Sequence, residues 1–384
     1  MLPKSNRIVF VIHGLPMGGA EKFLITLSNH LYKRQYRPHI ILLSNDDMLI
    51  GELNPFIPVY RITKKTRYDL TISKRVNILI DSIDPNIIMC VNTYAYFLTR
   101  IGQLFSNKKS IVLSPHSTIP FSLYNYFQNL IYLRFVQKSD QILYLCEAQR
   151  LFLNKTYKMP KHQNSIVYNG VDTQYFNPIM IQHNTEKSLR KTLGINPEDK
   201  VIVQVARLQK EKCHSDAIMA LSILKSQKNQ KSTHLIIVGT GNSSYVSALK
   251  ALVQKEELND FVHFVGSQSD VRPYLFMSDL FTLTSESETF SIAALEAMSM
   301  GLPVVLTDVG GAKEMVVSGL NGVLVRPHNS KELAEAWKTL LNSNLQSKKI
   351  RNHVIEKFSI QSMIDHYENL LFSQDVSVNQ LEYA

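Results

Sequence analysis

The strongest constraint on the fold is an alternation that runs nearly the whole length of the chain. Short apolar runs alternate with longer amphipathic stretches, the pattern of strand–helix units that assemble parallel sheets. In the first half the runs fall at 7–13, 39–44, 87–92, 110–116, 141–146 and 165–172, and in the second at 201–207, 234–239, 262–266, 279–285, 303–308 and 321–327. Between the first two, AEKFLITLSNHLYK (20–33) puts Phe23, Leu24, Leu27 and Leu31 on one helical face. A polar, poorly periodic stretch at 176–188 separates the two blocks, and a last helix is predicted at 359–374, ahead of a polar tail. The 384 residues thus divide into domains at 1–178 and 179–358, with a helix and tail at 359–384. Ligands of open parallel sheets bind beyond the carboxyl ends of the strands, so two such domains predict a cleft.

Composition excludes some classes. With 45% hydrophobic and 19% charged residues, the chain is a folded globular protein and not a disordered one. Cys90, Cys146 and Cys213 are too few and too far apart for a disulfide framework or a zinc spacing, which points to a reducing compartment. The N-terminal apolar run is too short for a signal peptide, and no stretch approaches the ~18 apolar residues of a membrane span. A soluble cytoplasmic protein, peripheral at most on the inner membrane face, is expected. Its charge is unevenly spread: residues 1–175 hold 21 Lys+Arg against 10 Asp+Glu, and the remainder 21 against 22. That asymmetry predicts an anionic partner for the first domain, either a membrane surface or an anionic acceptor.

The stretch SESETFSIAALEAMSMGLPVVLTDVGG (285–311) concentrates the chemistry. Ser291 is placed to cap a helix, and Gly301 stands where a terminating glycine belongs. The open N–H groups of such a helix, reinforced by its dipole, suit phosphate. Glu288 lies just before the helix and Glu296 about 7.5 Å further along its axis. Glu296 neighbours Leu295 and follows Ile292 by one turn, which places it towards the inward stripe. There it needs donors, from ribose hydroxyls or from an internal polar network.

The two glutamates, followed by EAMSMGLPVVLTDVGG and EMVVSGLNGVLVRP, resemble the nucleotide-sugar site of retaining glycosyltransferases of family 4. Further marks follow in order: GLPMGGAE (14–21), YNGVD (168–172), VARLQKEK (205–212), LIIVGTGNSS and VHFVGSQSDVRPYLFMSDLF. The resemblance implies a GT-B fold, two Rossmann-like domains facing across a cleft with the C-terminal helix returning to the first. It implies transfer from a nucleotide sugar, UDP-linked by preference, without a metal or other cofactor. Arg207 and Lys212 would neutralise the donor diphosphate, and the backbone of Phe290, Ser291 and Ile292 would hold its oxygens. Glu288 would meet the donor sugar and Glu296 the ribose, while Gly239, Gly266 and Val271 lie in the segments that meet the nucleotide. Gly18 and Gly19 would let the first domain approach the diphosphate, and His116 would face the donor sugar. Glu21 reads better as a favourable first-turn carboxylate than as a ligand group.

Thr289, Ala206 and Cys213 stand where the family usually has glycines, and Thr289 is placed to narrow the donor-sugar pocket. The basic stretch 61–75 and the aromatic stretch 120–138, with Phe121, Tyr124, Tyr126, Phe127, Tyr132, Phe135, Arg134 and Lys138, fit docking on anionic lipid. A core helix with ordinary cation decoration fits them as well. The expected partners are a nucleotide sugar and a glycan or lipid-linked acceptor, not nucleic acid. A nucleotide-sugar epimerase of the same fold, or a non-catalytic carbohydrate- or lipid-binding relative, remains open at this point.

Overall fold

The computed structural model describes residues 6–16, 18–66, 69, 71–105, 109–116, 123–159, 163–227 and 232–372. It separates into two compact units, one running to Tyr168 and resuming at Met363, the other spanning Asn169–Ser362.

The first unit is built on a parallel sheet of seven strands in the order β3-β2-β1-β4-β5-β6-β7. They are β1 (Arg7–Ile12), β2 (Arg37–Leu42), β3 (Val59–Arg61), β4 (Ile87–Cys90), β5 (Ile111–Leu113), β6 (Gln141–Tyr144) and β7 (Gln163–Ile166). Five of these fall on the apolar runs, and β7 meets the expected run 165–172 only at Ser165 and Ile166. The edge strand β3 meets none: its three residues are at best half-buried, so they carry no apolar signature. Val9, Val11, Ile41, Ile88, Ile111 and Ile142 pack under helices that contribute Ile80 and Tyr96. Beneath β5 a buried ion pair joins Arg100 to Asp140, whose carboxylate also accepts from Tyr96 Oη at 2.6 Å and from the Ile111 and Gln137 amides.

Helix Gly19–Lys33 buries Phe23, Leu24, Leu27 and Leu31, as the periodicity required. The last helix, Ile360–Phe372, belongs to this unit through its side chains: the Tyr367 ring lies 5.4 Å from that of Phe23, and Tyr36 donates to Glu368 at 2.6 Å. Arg34 pairs with both Asp365 and Glu368.

The seam falls earlier than the polar stretch suggests, after Tyr168 instead of 178, and the return falls at Met363 instead of 359. The physical reason is a set of backbone ties that hold 169–178 to the second unit. Val171 bridges Ser359, and the Phe176 carbonyl accepts from both Arg351 and Ser299 at 2.7 Å.

The second sheet has the order β10-β9-β8-β11-β12-β13, with every pairing parallel. The strands are β8 (Lys200–Val205), β9 (Thr233–Val238), β10 (Val262–Gly266), β11 (Leu280–Leu283), β12 (Val304–Thr307) and β13 (Gly322–Val325). Ile202, Leu235, Ile237, Leu280 and Val305 pack against Leu221 and Trp337, whose indole donates to Thr282 at 3.1 Å.

Each sheet grows outward from its first strand and then reverses. The reversal lies between β1 and β4 in the first unit and between β8 and β11 in the second. At such a switch point the loops leave in opposite directions and open a crevice at the carboxyl ends of the strands.

Candidate functional site

The loops after β8 and β11 flank the switch point of the second sheet, and they carry five of the predicted residues, Arg207, Lys212, Glu288, Phe290 and Ser291. Arg207 follows β8 and is exposed, while Lys212 ends a 3₁₀ turn at Lys210–Lys212 and is half-buried. Across the switch point, Lys212 Nζ lies 2.5 Å from Glu288 Oε1, each side chain less than one-fifth exposed. The Ser285 hydroxyl donates to the same carboxylate oxygen at 2.9 Å. Lys212 and Glu288 are therefore partners of one another, a contact the sequence reading did not foresee.

A polar network keeps these loops in register. The carbonyls of Lys212 and Cys213 both accept from Thr284 Oγ1 at 2.9 Å. Gln204, fully buried in β8, donates to Thr284 Oγ1 at 3.1 Å, and Thr307 donates to the Ser285 carbonyl at 2.6 Å. A buried amide that bonds both loop ends resists their separation, because parting them strands polar groups away from water. Gln204 is the one residue here with a readable signal, a lone amide in the apolar run VIVQVAR.

Helix Ile292–Ser299 starts as its sequence requires. Ser291 is extended and its hydroxyl accepts from the Ala294 amide at 3.2 Å, and Gly301 takes φ +84° just past the end. Phe290 is buried against Phe358, with rings 5.7 Å apart, and Ile292 is half-buried. Glu296 is also only half-buried. Leu295, Ala297 and Met298 take the inward positions, which corrects the expected inward placement of this carboxylate. Glu288 and Thr289 are seated by a glycine the motif reading left without a role. A Cβ on Gly310 (φ +55°) would fall 2.1 Å from the Glu288 carbonyl oxygen, and the Gly311 amide donates to the Thr289 carbonyl at 2.8 Å.

The three departures from glycine are not equivalent. Thr289 and Ala206 are not among the residues with positive φ, so a side chain at either position needs no backbone strain. Cys213 has φ +46°, a left-handed conformation that disfavours any Cβ. Burial and the nearby Asp216 and Glu286 carboxylates push its thiol up to about 11, so it stays protonated at neutral pH. Cys213, Glu286 and His328 each bring one potential metal-ligating atom within 4.8 Å of the others. The His328 ring spans Asp216 and Glu286 at 3.3 Å each.

Gly239 (φ +144°) directly follows β9, and Gly266 (φ +74°) ends β10. The first is obligatory for packing, since a Cβ there would fall 2.0 Å from the Ala206 carbonyl, whereas the second faces open space. Val271 precedes the short helix Arg272–Phe276 and is half-buried. Gly18, Gly19 and His116 lie in the first unit. Gly18 caps helix Gly19–Lys33 in an extended conformation, and Gly19 is exposed. His116 packs on Phe23, with ring centroids 4.4 Å apart, and lies 3.3 Å from Ser114 Oγ. Burial drives its pKa down to about 3, so the imidazole is neutral at neutral pH.

In the aromatic stretch, Tyr126 and Phe135 pack on the first core, and Tyr132 stacks on Phe97. Tyr124 and Phe127 are exposed on helix Leu123–Tyr132, as are Leu123 and Ile131. Phe121 lies outside the described residues. Of the basic stretch, Arg61 pairs with Asp47 and Arg75 with Asp69. Among the described residues no helix is long and apolar enough to cross a membrane.

Fold and site together define an α/β protein with polar loops gathered at the switch points of two parallel sheets. The model of the glycosyl transferases group 1 matches residues 185–357, and that of glycosyltransferase family 4 matches residues 17–175. The chain belongs to glycosyltransferase family 4. It is 29% identical over 244 residues to N-acetyl-alpha-D-glucosaminyl L-malate synthase of Bacillus anthracis, a match covering 62% of this chain and 60% of the relative. It is 27% identical to a D-inositol 3-phosphate glycosyltransferase of Jonesia denitrificans, over 56% of this chain and 51% of that one. The chain thus spans between half and three-fifths of the length of these curated relatives. Among solved structures, Anabaena HepE in complex with UDP superposes with a TM-score of 0.81 at 22% identity, covering 96% of this chain and 100% of that one. The lipopolysaccharide glycosyltransferase WaaG does so with 0.74 at 17%, covering 95% and 100%. At such identities the likeness assigns the fold, GT-B, and no more.

Proposed function

We propose that the protein is a retaining, metal-independent glycosyltransferase that moves a sugar from a UDP-linked donor to a lipid-linked or surface-glycan acceptor. The observation that carries this reading is the placement of Arg207, the Lys212–Glu288 pair and the Ser291-capped helix start at one switch point. Lys212 has three N–H donors, so it can serve a diphosphate oxygen while still bonded to Glu288. With Arg207 and the helix dipole it stabilises the charge that develops on the leaving diphosphate, the role a divalent cation fills elsewhere. Glu288, bound by Lys212 and Ser285, keeps lone pairs for a donor-sugar hydroxyl, and Glu296 serves the ribose. The structural neighbour HepE, which binds UDP, supports a nucleotide-sugar donor.

Thermal-shift screening with UDP, GDP and ADP tests the site, because a ligand of the native state raises the melting temperature. Stabilisation by one nucleotide class, lost in Glu296→Ala and Arg207→Ala, is expected. An equal response of all three proteins overturns the assignment. Transfer that persists in excess chelator tests metal independence.

Membrane docking is the second element. Leu123, Tyr124, Phe127 and Ile131 form an exposed apolar face on a unit whose sequence carries the chain's excess positive charge. Such a face with surrounding cations suits an anionic bilayer surface. Salt-sensitive sedimentation with phosphatidylglycerol vesicles, reduced in Phe127→Ser, is expected. Sedimentation indifferent to salt and to the substitution removes this element.

A further inference from the structure

Three side chains of different metal-binding chemistry converge in the second unit. They are the Cys213 thiol, a Glu286 carboxylate and the His328 ring, on the loops that follow β8, β11 and β13. Each brings one ligand-type atom within 4.8 Å of the other two, and among the described residues this is the one such cluster. None of the three was predicted for donor binding. They come from three separate loops, so no sequence spacing announces them.

Two of them stand in backbone conformations that favour glycine: Cys213 has φ +46° and His328 has φ +56°. Side chains held against that preference persist where surrounding contacts fix them, and they concentrate at ligand clamps. Here the contacts are identifiable. The Cys213 carbonyl accepts from Thr284 Oγ1 at 2.9 Å, and the Glu286 amide donates to the Glu211 carbonyl at 3.0 Å. Asn329, next to His328, caps helix Ser330–Leu341 by accepting from the Glu332 amide at 3.1 Å. All three backbones are therefore set in advance. Only the exposed Glu286 and His328 side chains need to turn towards the buried thiol.

A thiolate, an imidazole and a carboxylate together suit zinc, whereas magnesium and calcium favour oxygen ligands alone. Tetrahedral zinc holds such ligand atoms about 3.5 Å apart. His328 Nε2 and Glu286 Oε2 are close to that spacing already, at 3.3 Å. On the other side of the ring, His328 Nδ1 faces Asp216 Oδ2 at 3.3 Å. A carboxylate on the second nitrogen orients a ligating imidazole and raises its basicity. The Cys213 thiol now donates to the Lys210 carbonyl at 3.4 Å, and coordination releases its proton to solvent. Three protein ligands leave the fourth position to water.

We propose that Cys213, Glu286 and His328 form a zinc-binding site, with Asp216 as the carboxylate that positions His328. The bound ion ties together the loops after β8, β11 and β13. It takes no part in the diphosphate chemistry assigned to Arg207 and Lys212.

Competition with a chromophoric zinc chelator, on the full chain freed of metal, tests the site. The wild type is expected to take zinc from the chelator. Asp216→Asn weakens that uptake by about 10–100-fold, and Cys213→Gly and His328→Gly weaken it further. Glycine suits both left-handed positions, so neither variant loses the ion by unfolding, and urea midpoints of the metal-free proteins check this. Cobalt(II) supplies a second readout. In the wild type it gives a thiolate-to-cobalt charge-transfer band in the near ultraviolet, which Cys213→Gly abolishes. Magnesium in excess leaves both signals unchanged. No zinc uptake by the wild type, uptake undiminished in both glycine variants, or a cobalt complex without the thiolate band overturns the proposal. None of these readouts involves a nucleotide, so this inference and the glycosyltransferase reading fail separately.

Discussion

Replacing Gly310 by alanine isolates the contact that seats the loop carrying Glu288 and Thr289. The residue has φ +55°, and an added Cβ would lie 2.1 Å from the Glu288 carbonyl oxygen and 2.8 Å from that of Thr289. Gly319 provides the reference: its φ is +77°, yet a Cβ there meets nothing within 4 Å. At both positions alanine bears the left-handed penalty of about 1–2 kcal/mol, partly offset by about 0.4–1 kcal/mol from a stiffer unfolded chain. Only at Gly310 must backbone atoms move, which adds an overpacking cost of about 1–3 kcal/mol. Gly310→Ala is therefore expected to destabilise the second unit by about 2–4 kcal/mol and Gly319→Ala by about 1 kcal/mol. Urea titration, read at the second unit's transition, measures the difference. Displacing the Glu288 and Thr289 carbonyls also shifts the start of helix Ile292–Ser299, so Gly310→Ala is expected to weaken UDP binding while Gly319→Ala leaves it unchanged. Equal destabilisation by the two substitutions, or a Gly310→Ala protein that binds UDP normally, would falsify this account of the loop.

Three other outcomes are expected. Asp140→Ala strands the fully buried Arg100 together with the Tyr96 hydroxyl and two amides, at a cost of about 3–5 kcal/mol, and a loss under 1 kcal/mol in denaturant titration would show the pair to be dispensable. At position 213, where φ is +46°, Cys213→Gly is expected to be more stable than Cys213→Ala by roughly 0.5–1 kcal/mol, the reverse of the usual order; a more stable alanine variant argues against strain there. Acid should loosen the fold through histidines buried in their neutral form. His214 is fully buried and its pKa falls from 6.5 to about 4, chiefly by desolvation. Below pH 6.5 the unfolded chain then binds more protons than the folded one. Stability is complete above that pH and is lost as pH falls towards 4, by about 2 kcal/mol at pH 5 from this residue. His214→Gln should flatten the urea midpoint between pH 7 and 5, and an unchanged slope would assign the loss to other groups.

What could be read from the residues alone was local in origin. Strand and helix periods, the Ser291 cap and the Gly301 terminus depend on neighbours a few positions away, and each is where the pattern put it. The family motifs fall on the loops after β8 and β11, which meet at the switch point of the second sheet, because each motif is a short local stretch. β3 escaped because three half-exposed residues at a sheet edge need no apolar repeat. The seam escaped because Arg351 and Ser299 hold Phe176 by hydrogen bonds that leave no trace in composition.

Tertiary structure alone decided the pairings that give the site its chemistry. Lys212 and Glu288 are 76 residues apart and meet only because β11 pairs with β8. Glu296 faces half outward because the packing of Leu295 and Ala297 sets the roll of its helix. The cluster of Cys213, Glu286 and His328 exists only once β8, β11, β12 and β13 pair in that order. Periodicity says which residues face a core. The order in which strands pair says which loops share a crevice, and that order is set by the burial of every strand at once.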